Sequence, residues 1–212
     1  YVECASFENV KESKERYSAA TKIQYAEQDH ITGKTLIQKN GSRVLVQNPP
    51  APPLTRAEFD KVYELPFTRA FHPIYEKMGG VPALQEVEFS IIHNRGCFGG
   101  CNFCALTLHQ GRYVTSRSKD SIVKEAESFV DSPNFTGFIN DVGGPTANFR
   151  VGSCAKQYKS GMCKDRKCLA PTPCPKLVAD HGEYLDILRA LREIDGVKKV
   201  FVRSGVRYDY LL

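Results

Sequence analysis

Ten residues, Arg95-Gly96-Cys97-Phe98-Gly99-Gly100-Cys101-Asn102-Phe103-Cys104, constrain this chain more than any other stretch. They hold three thiols in a C-x3-C-x2-C spacing, with three glycines among them. On an α-helix the cysteines would share one face, as i, i+4 and i+7 do, and free Cys packs as a small hydrophobe. The glycines oppose that buried stripe, because each costs a helix interior about 1 kcal/mol relative to Ala. A loop that wraps its backbone tightly and turns its thiols inward fits the composition better. Three soft ligands converging on one point imply zinc or an iron–sulfur cluster. Structural zinc closes with four protein ligands, whereas a reactive site leaves a position open. His109, five residues after Cys104, is a candidate to complete a zinc shell.

The stretch resembles the cluster loop of radical SAM enzymes, in which an aromatic precedes the last cysteine. Arg95–Ala105, Gly111-Arg112, Ser116-Arg117-Ser118, Asp141-Val142-Gly143-Gly144-Pro145-Thr146-Ala147-Asn148 and Ser204-Gly205-Val206-Arg207-Tyr208-Asp209 resemble the YgiQ-type branch, over a region running from about Val44 to the C-terminus. The resemblance implies that Cys97, Cys101 and Cys104 hold a 4Fe–4S cluster with one iron open to S-adenosyl-L-methionine. An electron from a donor such as flavodoxin or ferredoxin would cleave that cofactor to methionine and a deoxyadenosyl radical, for chemistry on a substrate the sequence does not identify. Phe103 matches the aromatic that shelters the adenine. Gly143 and Gly144 match the start of the Gly-Gly-Glu motif whose backbone approaches the methionine amino group, although Pro145 replaces the acid. Ser204 is the matching candidate for the ribose hydroxyls. By residue type alone, Phe103 is equally a packing residue, Gly-Gly before Pro a turn signal, and Ser204 a turn or cap residue.

Residues Glu8 to about Gln28 predict a solvated helix, and Asn40-Gly41 between two short apolar runs predicts a tight hairpin. Asn48-Pro49-Pro50-Ala51-Pro52-Pro53 reads as a stiff connector. Thr55-Arg56-Ala57-Glu58 has the capping-box pattern of a helix running through Tyr63, followed by irregular linker around Phe71–Pro73 and Met78–Pro82. On this reading residues 1–85 form an N-terminal hairpin and helical segment with no chemistry of its own. Residues 86–212 then alternate strand and helix. The expected strands are Glu86–Ile92, Phe135–Asn140 and Val197–Val202, and the expected helices Ser118–Phe129 and Tyr184–Ile194. Such alternation implies parallel strands, with the cysteines, Gly143-Gly144 and Ser204 each just past a strand's C-terminal end, where α/β enzymes build their sites. The fold class is thus α/β. Three strands are about half of the six in a radical SAM partial barrel, which predicts a fragment truncated after the third.

A second set, Cys154, Cys163, Cys168 and Cys174, lies in an insert spanning 150–180 that is rich in Pro, Lys and Gly. Having few apolar residues, it suits stapling by a metal. Four thiolates fit structural zinc or a second, fully ligated iron–sulfur cluster; His181 is a possible substitute ligand, and free surface thiols are the competing account. Between Arg150 and Lys176 the cations Arg150, Lys156, Lys159, Lys164, Arg166, Lys167 and Lys176 face one anion, Asp165, so this segment holds an excess comparable to the whole chain's +5. Such a face could dock an anionic substrate, RNA being a candidate, or simply keep the insert in solution. No apolar run is long enough to span a bilayer, which predicts no membrane partner, and no signal-peptide core opens the chain. With this cysteine spacing the expected compartment is the reducing cytoplasm. The rival to a radical SAM enzyme is a non-enzymatic zinc protein whose basic, Cys-rich insert binds nucleic acid. Neither a nucleophile elbow nor a phosphate-binding Gly-x-x-x-x-Gly-Lys is present.

Overall fold

The computed structural model describes residues 1–211. In chain order the elements are β1 (Val2–Glu3), α1 (Phe7–Glu12), α2 (Lys14–Glu27), β2 (Leu36–Asn40), β3 (Arg43–Gln47) and α3 (Arg56–Tyr63). There follow α4 (Leu84–Val87), β4 (Ser90–Ile92), β5 (Asn94–Arg95), α5 (Leu106–Gln110), β6 (Thr115–Ser116) and α6 (Lys119–Val130). The last are β7 (Phe138–Ile139), β8 (Asp141–Gly143), α7 (Ala155–Ser160), α8 (Gly182–Glu193) and β9 (Lys199–Val200). The sheets are small, and the described residues form no closed barrel.

Contacts divide the chain into two compact units, each built from three stretches. The first comprises residues 1–53, 96–114 and 152–178; the second comprises 54–95, 115–151 and 179–212. This grouping differs from the sequential division at 85/86, because the cysteine loop and the insert both gather with the N-terminal segment.

In the first unit the expected hairpin forms: β2 and β3 pair antiparallel from Leu36↔Gln47 to Asn40↔Arg43. The sequence reading missed that β1 adds a parallel strand at Val2↔Leu36. The single helix expected over Glu8–Gln28 is two helices, α1 and α2, broken at Ser13. Ser13 takes extended backbone geometry, accepts from Arg16 N at 3.3 Å and donates to Glu15 at 2.8 Å. Its hydroxyl thereby satisfies a first-turn donor that would otherwise be orphaned.

The second unit carries the α/β core. Strand β4 pairs parallel with β8, and β7 with β9. Bonds from Asn140 N to Phe89 O, Val142 N to Phe201 O and Phe201 N to Ile139 O join them into one parallel layer, ordered 89–92, 138–143, 199–201. Helix α6 starts at the expected Ser118 cap and buries Ile122, Ala126 and Phe129, one helical face; α8 buries Tyr184, Ile187 and Leu191. Burying a side chain such as Phe129 or Ile187 is worth about 1.5–3 kcal/mol. The capping box at Thr55 and Glu58 forms as expected.

The strands are shorter than the apolar pattern predicted. Residues 84–87 are helical, since Glu88 N bonds Leu84 O, and the strand proper is Ser90–Ile92. Phe135 leaves the ladder because its ring packs on Phe89 and Phe129, at 5.0 and 6.0 Å between centroids. Between the stretches Phe71–Pro73 and Met78–Pro82, read as irregular linker, Pro73–Met78 is a 3-10 helix capped by His72.

A buried polar network sits at the strand ends. Arg117 donates to Ile92 O and Ser121 O and pairs with Glu125. Arg150 donates to His93 O at 3.1 Å and Arg117 O at 2.8 Å and pairs with Glu183 at 2.9 Å. Both guanidiniums are buried, which is tolerable only because they are paired. His93, the strand-end histidine read as a satisfied one, is fully buried between these groups, with Nε2 2.8 Å from Ala147 O and Nδ1 3.3 Å from Arg150. The neutral tautomer follows: Nε2–H donates to the carbonyl, and Nδ1 accepts from the guanidinium.

Desolvation first, then the neighbouring Arg150 charge, lowers the His93 pKa from 6.5 to about 3. Below pH 6.5 the unfolded chain protonates this residue and the folded one does not, so stability falls as pH drops from 6.5 towards 3, by about 1.4 kcal/mol per pH unit. Urea midpoints at pH 7, 5.5 and 4 check this. His93→Gln should be less stable at pH 7 yet lose less on acidification, whereas an unchanged slope would remove His93 as the cause.

Candidate metal centre

The cysteine loop belongs to the first unit. It opens at Gly96, whose φ of +83° places a would-be Cβ on the Tyr113 carbonyl, so only glycine fits there. Its ends are held together by Cys97 N to Gly111 O at 3.0 Å, Thr107 Oγ1 to Cys97 O at 3.0 Å and Gly96 N to Gln110 Oε1 at 3.2 Å. Cys97 is buried, while Cys101 and Cys104 are half-buried. The Gly99 N–H points at Cys97 Sγ (3.4 Å) and the Leu106 N–H at Cys104 Sγ (3.5 Å). Hydrogen bonds to sulfur are one means by which a protein sets a cluster's potential.

Among the described residues, no three His, Cys, Asp or Glu side chains close on a single ion. His109 is exposed on α5 and does not join the triad in a zinc shell. Phe103 is 93% exposed, which removes the packing role that competed for it.

Cys154, Cys163, Cys168 and Cys174 are half-buried in the same unit. Cys174 N donates to Cys168 O at 2.8 Å. Burial pushes the Cys168 thiol up, and Arg112, Cys154 and Cys163 are close enough for their charges to act on it. His181 belongs to the second unit, where its Nε2 lies 3.0 Å from Tyr210 O. Lys167 ties the two cysteine segments, with Nζ 2.6 Å from both Gly100 O and Asn102 Oδ1. The Arg112 guanidinium stacks 4.3 Å above the Tyr25 ring. Burial raises the Tyr25 phenol, and the charges that act on it include Cys168 and Cys97, so this residue borders both cysteine sets.

The insert's cationic surface is thinner than its sequence suggested. Lys156 lies 3.3 Å from Cys163 Sγ, Lys164 pairs with Glu27 at 2.7 Å, and Lys167 is held as described. Arg150 is buried in the second unit.

The remaining sequence candidates lie in the second unit. Gly143 ends β8 and Gly144 follows it. A Cβ on Gly143 would overlap the Ser204 hydroxyl, and one on Gly144 the Asn94 side-chain oxygen. Ser204 donates to Asp141, whose other oxygen accepts from Arg203 N at 2.7 Å and Ser204 N at 3.2 Å. The structure therefore brings Gly143 and Ser204 together, as two adjacent strand ends require. Asn94 donates to Thr146 O at 3.2 Å and to Phe149 O, while its buried Oδ1 accepts from no group.

A family model described as Radical SAM N-terminal matches residues 1–90. A UPF0313 protein of Clostridium botulinum (strain Okra / Type B1) is 56% identical over all 212 residues, and one of Clostridium perfringens (strain ATCC 13124) is 52% identical over 207, or 98% of the chain. These matches support a protein of the radical SAM, YgiQ/UPF0313 type. It spans about a third of the length of these UPF0313 relatives, 33% and 31% respectively. No described helix is long and apolar enough to cross a membrane.

The matched residues 1–90 include the portion read as having no chemistry of its own, and one of its side chains has a structural role. Asp29 is 1% exposed, and its carboxylate accepts from Tyr113 Oη (2.9 Å), Thr32 Oγ1 (2.5 Å), Ile31 N (3.2 Å) and Met162 N (3.0 Å). Burial alone would raise its pKa, but these donors outweigh burial and hold the carboxyl below its ordinary value. One side chain thus ties the N-terminal segment to the end of the cysteine loop and to the insert. Asp29→Ala should cost about 3 kcal/mol by stranding buried donors, read as a lowered urea midpoint. It should also speed protease cleavage within 96–114 and 152–178. An unchanged midpoint would show that Asp29 is not the tie.

Proposed function

We propose that this chain supplies the cluster-binding part of a radical SAM enzyme, with Cys97, Cys101 and Cys104 as the three protein ligands of a 4Fe–4S cluster. The observation that carries the reading is the glycine-shaped loop itself: three thiols, two of them facing backbone N–H donors, in a chain of the radical SAM type. The donor set fits, because three soft thiolates suit an iron–sulfur cluster and leave one iron without a protein ligand. When bound, such a cluster with S-adenosyl-L-methionine supplies one-electron reductive cleavage and hydrogen abstraction from a substrate.

The chain's own residues would hold and shelter the cofactors. The N–H groups of Gly99 and Leu106 would donate to the Cys97 and Cys104 sulfurs of a bound cluster. The exposed ring of Phe103 offers an apolar face to a planar base. In the second unit, Gly143 and Gly144 leave backbone bare at a strand end, and the unpartnered Asn94 Oδ1 beside Gly144 suits an ammonium donor. Ser204 would serve the ribose hydroxyls, with Asp141 orienting its hydroxyl. An electron donor such as flavodoxin or ferredoxin completes the proposal, and the compartment it implies is the reducing cytoplasm. The nucleic-acid part of the rival reading is weakened by the insert, where Lys156, Lys164 and Lys167 have partners within their own unit and leave Lys159, Arg166 and Lys176 as its other exposed cations.

Anaerobic reconstitution tests the assignment. Each of Cys97→Ala, Cys101→Ala and Cys104→Ala should abolish the low-temperature electron-resonance signal of the reduced cluster, and only the parent protein should release deoxyadenosine from S-adenosyl-L-methionine under strong reductant. A full cluster signal in all three variants would overturn the ligand set.

A further inference from the structure

We propose that Cys154, Cys163, Cys168 and Cys174 form a second metal centre of four thiolates whose negative charge is balanced by Arg112. The inference stands independently of S-adenosylmethionine chemistry and of the first cysteine triad.

The decisive group is Arg112, which is 1% exposed. It lies in the same unit as the four cysteines, and its Nη2 donates to Cys163 O at 2.9 Å. Its Nε and Nη1 are buried and have no hydrogen-bond partner. A buried guanidinium with two idle donors is expensive, because charge is taken from water without compensation. The neighbouring Tyr25 ring offers a cation–π contact at 4.3 Å, which does not satisfy N–H groups. No carboxylate pairs with Arg112 among the described residues. The nearby groups able to carry negative charge as metal ligands are the insert's cysteines, whose backbone Arg112 already contacts at Cys163 O and which are linked by Cys174 N to Cys168 O at 2.8 Å. The exposed Lys156 points at Cys163 Sγ from another direction, at 3.3 Å.

Four thiolates on a divalent ion carry a net charge of −2, and a 4Fe–4S cluster with four thiolates is likewise anionic. Either therefore accounts for the buried cation, whereas four neutral thiols do not. The fold gives a second reason. Among the insert residues Cys154–Cys174 only Gln157, Gly161, Met162 and Leu169 reach the interior. So small an apolar content leaves the insert dependent on a staple. Lys167, bonded to Gly100 O and Asn102, would transmit that staple's position to the first loop.

The test removes the first site and asks what metal remains. In the full chain carrying Cys97→Ala, Cys101→Ala and Cys104→Ala, elemental analysis should find one zinc or about four iron per chain, and added Cys154→Ala with Cys168→Ala should abolish it. Zinc and iron both support a four-thiolate centre and distinguish its kind. Absence of stoichiometric metal after anaerobic purification and after reconstitution with either metal would overturn it. Arg112→Gln should lower metal affinity about 10–100-fold in chelator competition, as loss of a supporting contact does, with partial recovery in Arg112→Lys. Should the buried substitution unfold the chain, the exposed Lys156→Gln provides the second measurement, with a smaller loss of affinity at unchanged urea midpoint. Full affinity in both Arg112→Gln and Lys156→Gln would remove the charge-balancing role.

Discussion

The buried Asp29 carboxylate is the contact on which the first unit depends. Its four donors come from its own turn (Ile31, Thr32), from the residue that closes the cysteine loop (Tyr113) and from the insert (Met162). None of these three segments has an apolar core large enough to hold the others by area alone. A charged acceptor in a low-dielectric setting fixes direction as well as distance, because every lone pair must find its donor. The cysteine loop consequently receives its shape from residues far away in sequence, at 29 and 162.

The second unit solves a different problem. Its parallel strands are short, and their ends carry Arg117, Arg150, His93 and Asn94 in the interior. Hydrophobic packing by α6 and α8 covers one side of the layer. The strand ends are held instead by guanidinium bonds to backbone carbonyls, such as Arg117 to Ile92 O and Arg150 to His93 O. Bare backbone at Gly143 and Gly144 then becomes possible, since the network around it supplies the rigidity that side-chain packing would have given. Asn94 illustrates the arrangement: its amide is committed to Thr146 O and Phe149 O, so its oxygen faces Gly144 in one orientation only.

Two charges with different surroundings separate structural from ligand-directed roles. Arg150 spends its donors on Glu183, His93 and Arg117, and it reads as architecture. Arg112 keeps two buried donors idle beside the insert thiols. The contrast with Arg150 is what gives Arg112 its meaning, because among the buried donors Arg150 lacks a partner at Nε alone.

The sequence by itself determined the local pieces. C-x3-C-x2-C with glycines excluded a helix; Asn40-Gly41 gave the hairpin, Thr55-x-x-Glu58 a capped helix, and the apolar spacing of Ile122, Ala126 and Phe129 a buried face. These follow from interactions within a few residues, where chain geometry is already known. Helix α4 in place of the first half of a strand, the break at Ser13 and the departure of Phe135 from its ladder depended on which neighbour won each backbone group or ring. Only the tertiary structure could decide that both cysteine sets share a unit with residues 1–53, that Asp29 and Tyr25 lie among them, and that Arg112 is buried without full pairing. Those facts rest on contacts between residues from 51 to 137 positions apart, and no periodicity or spacing in the sequence encodes which distant donor meets which acceptor.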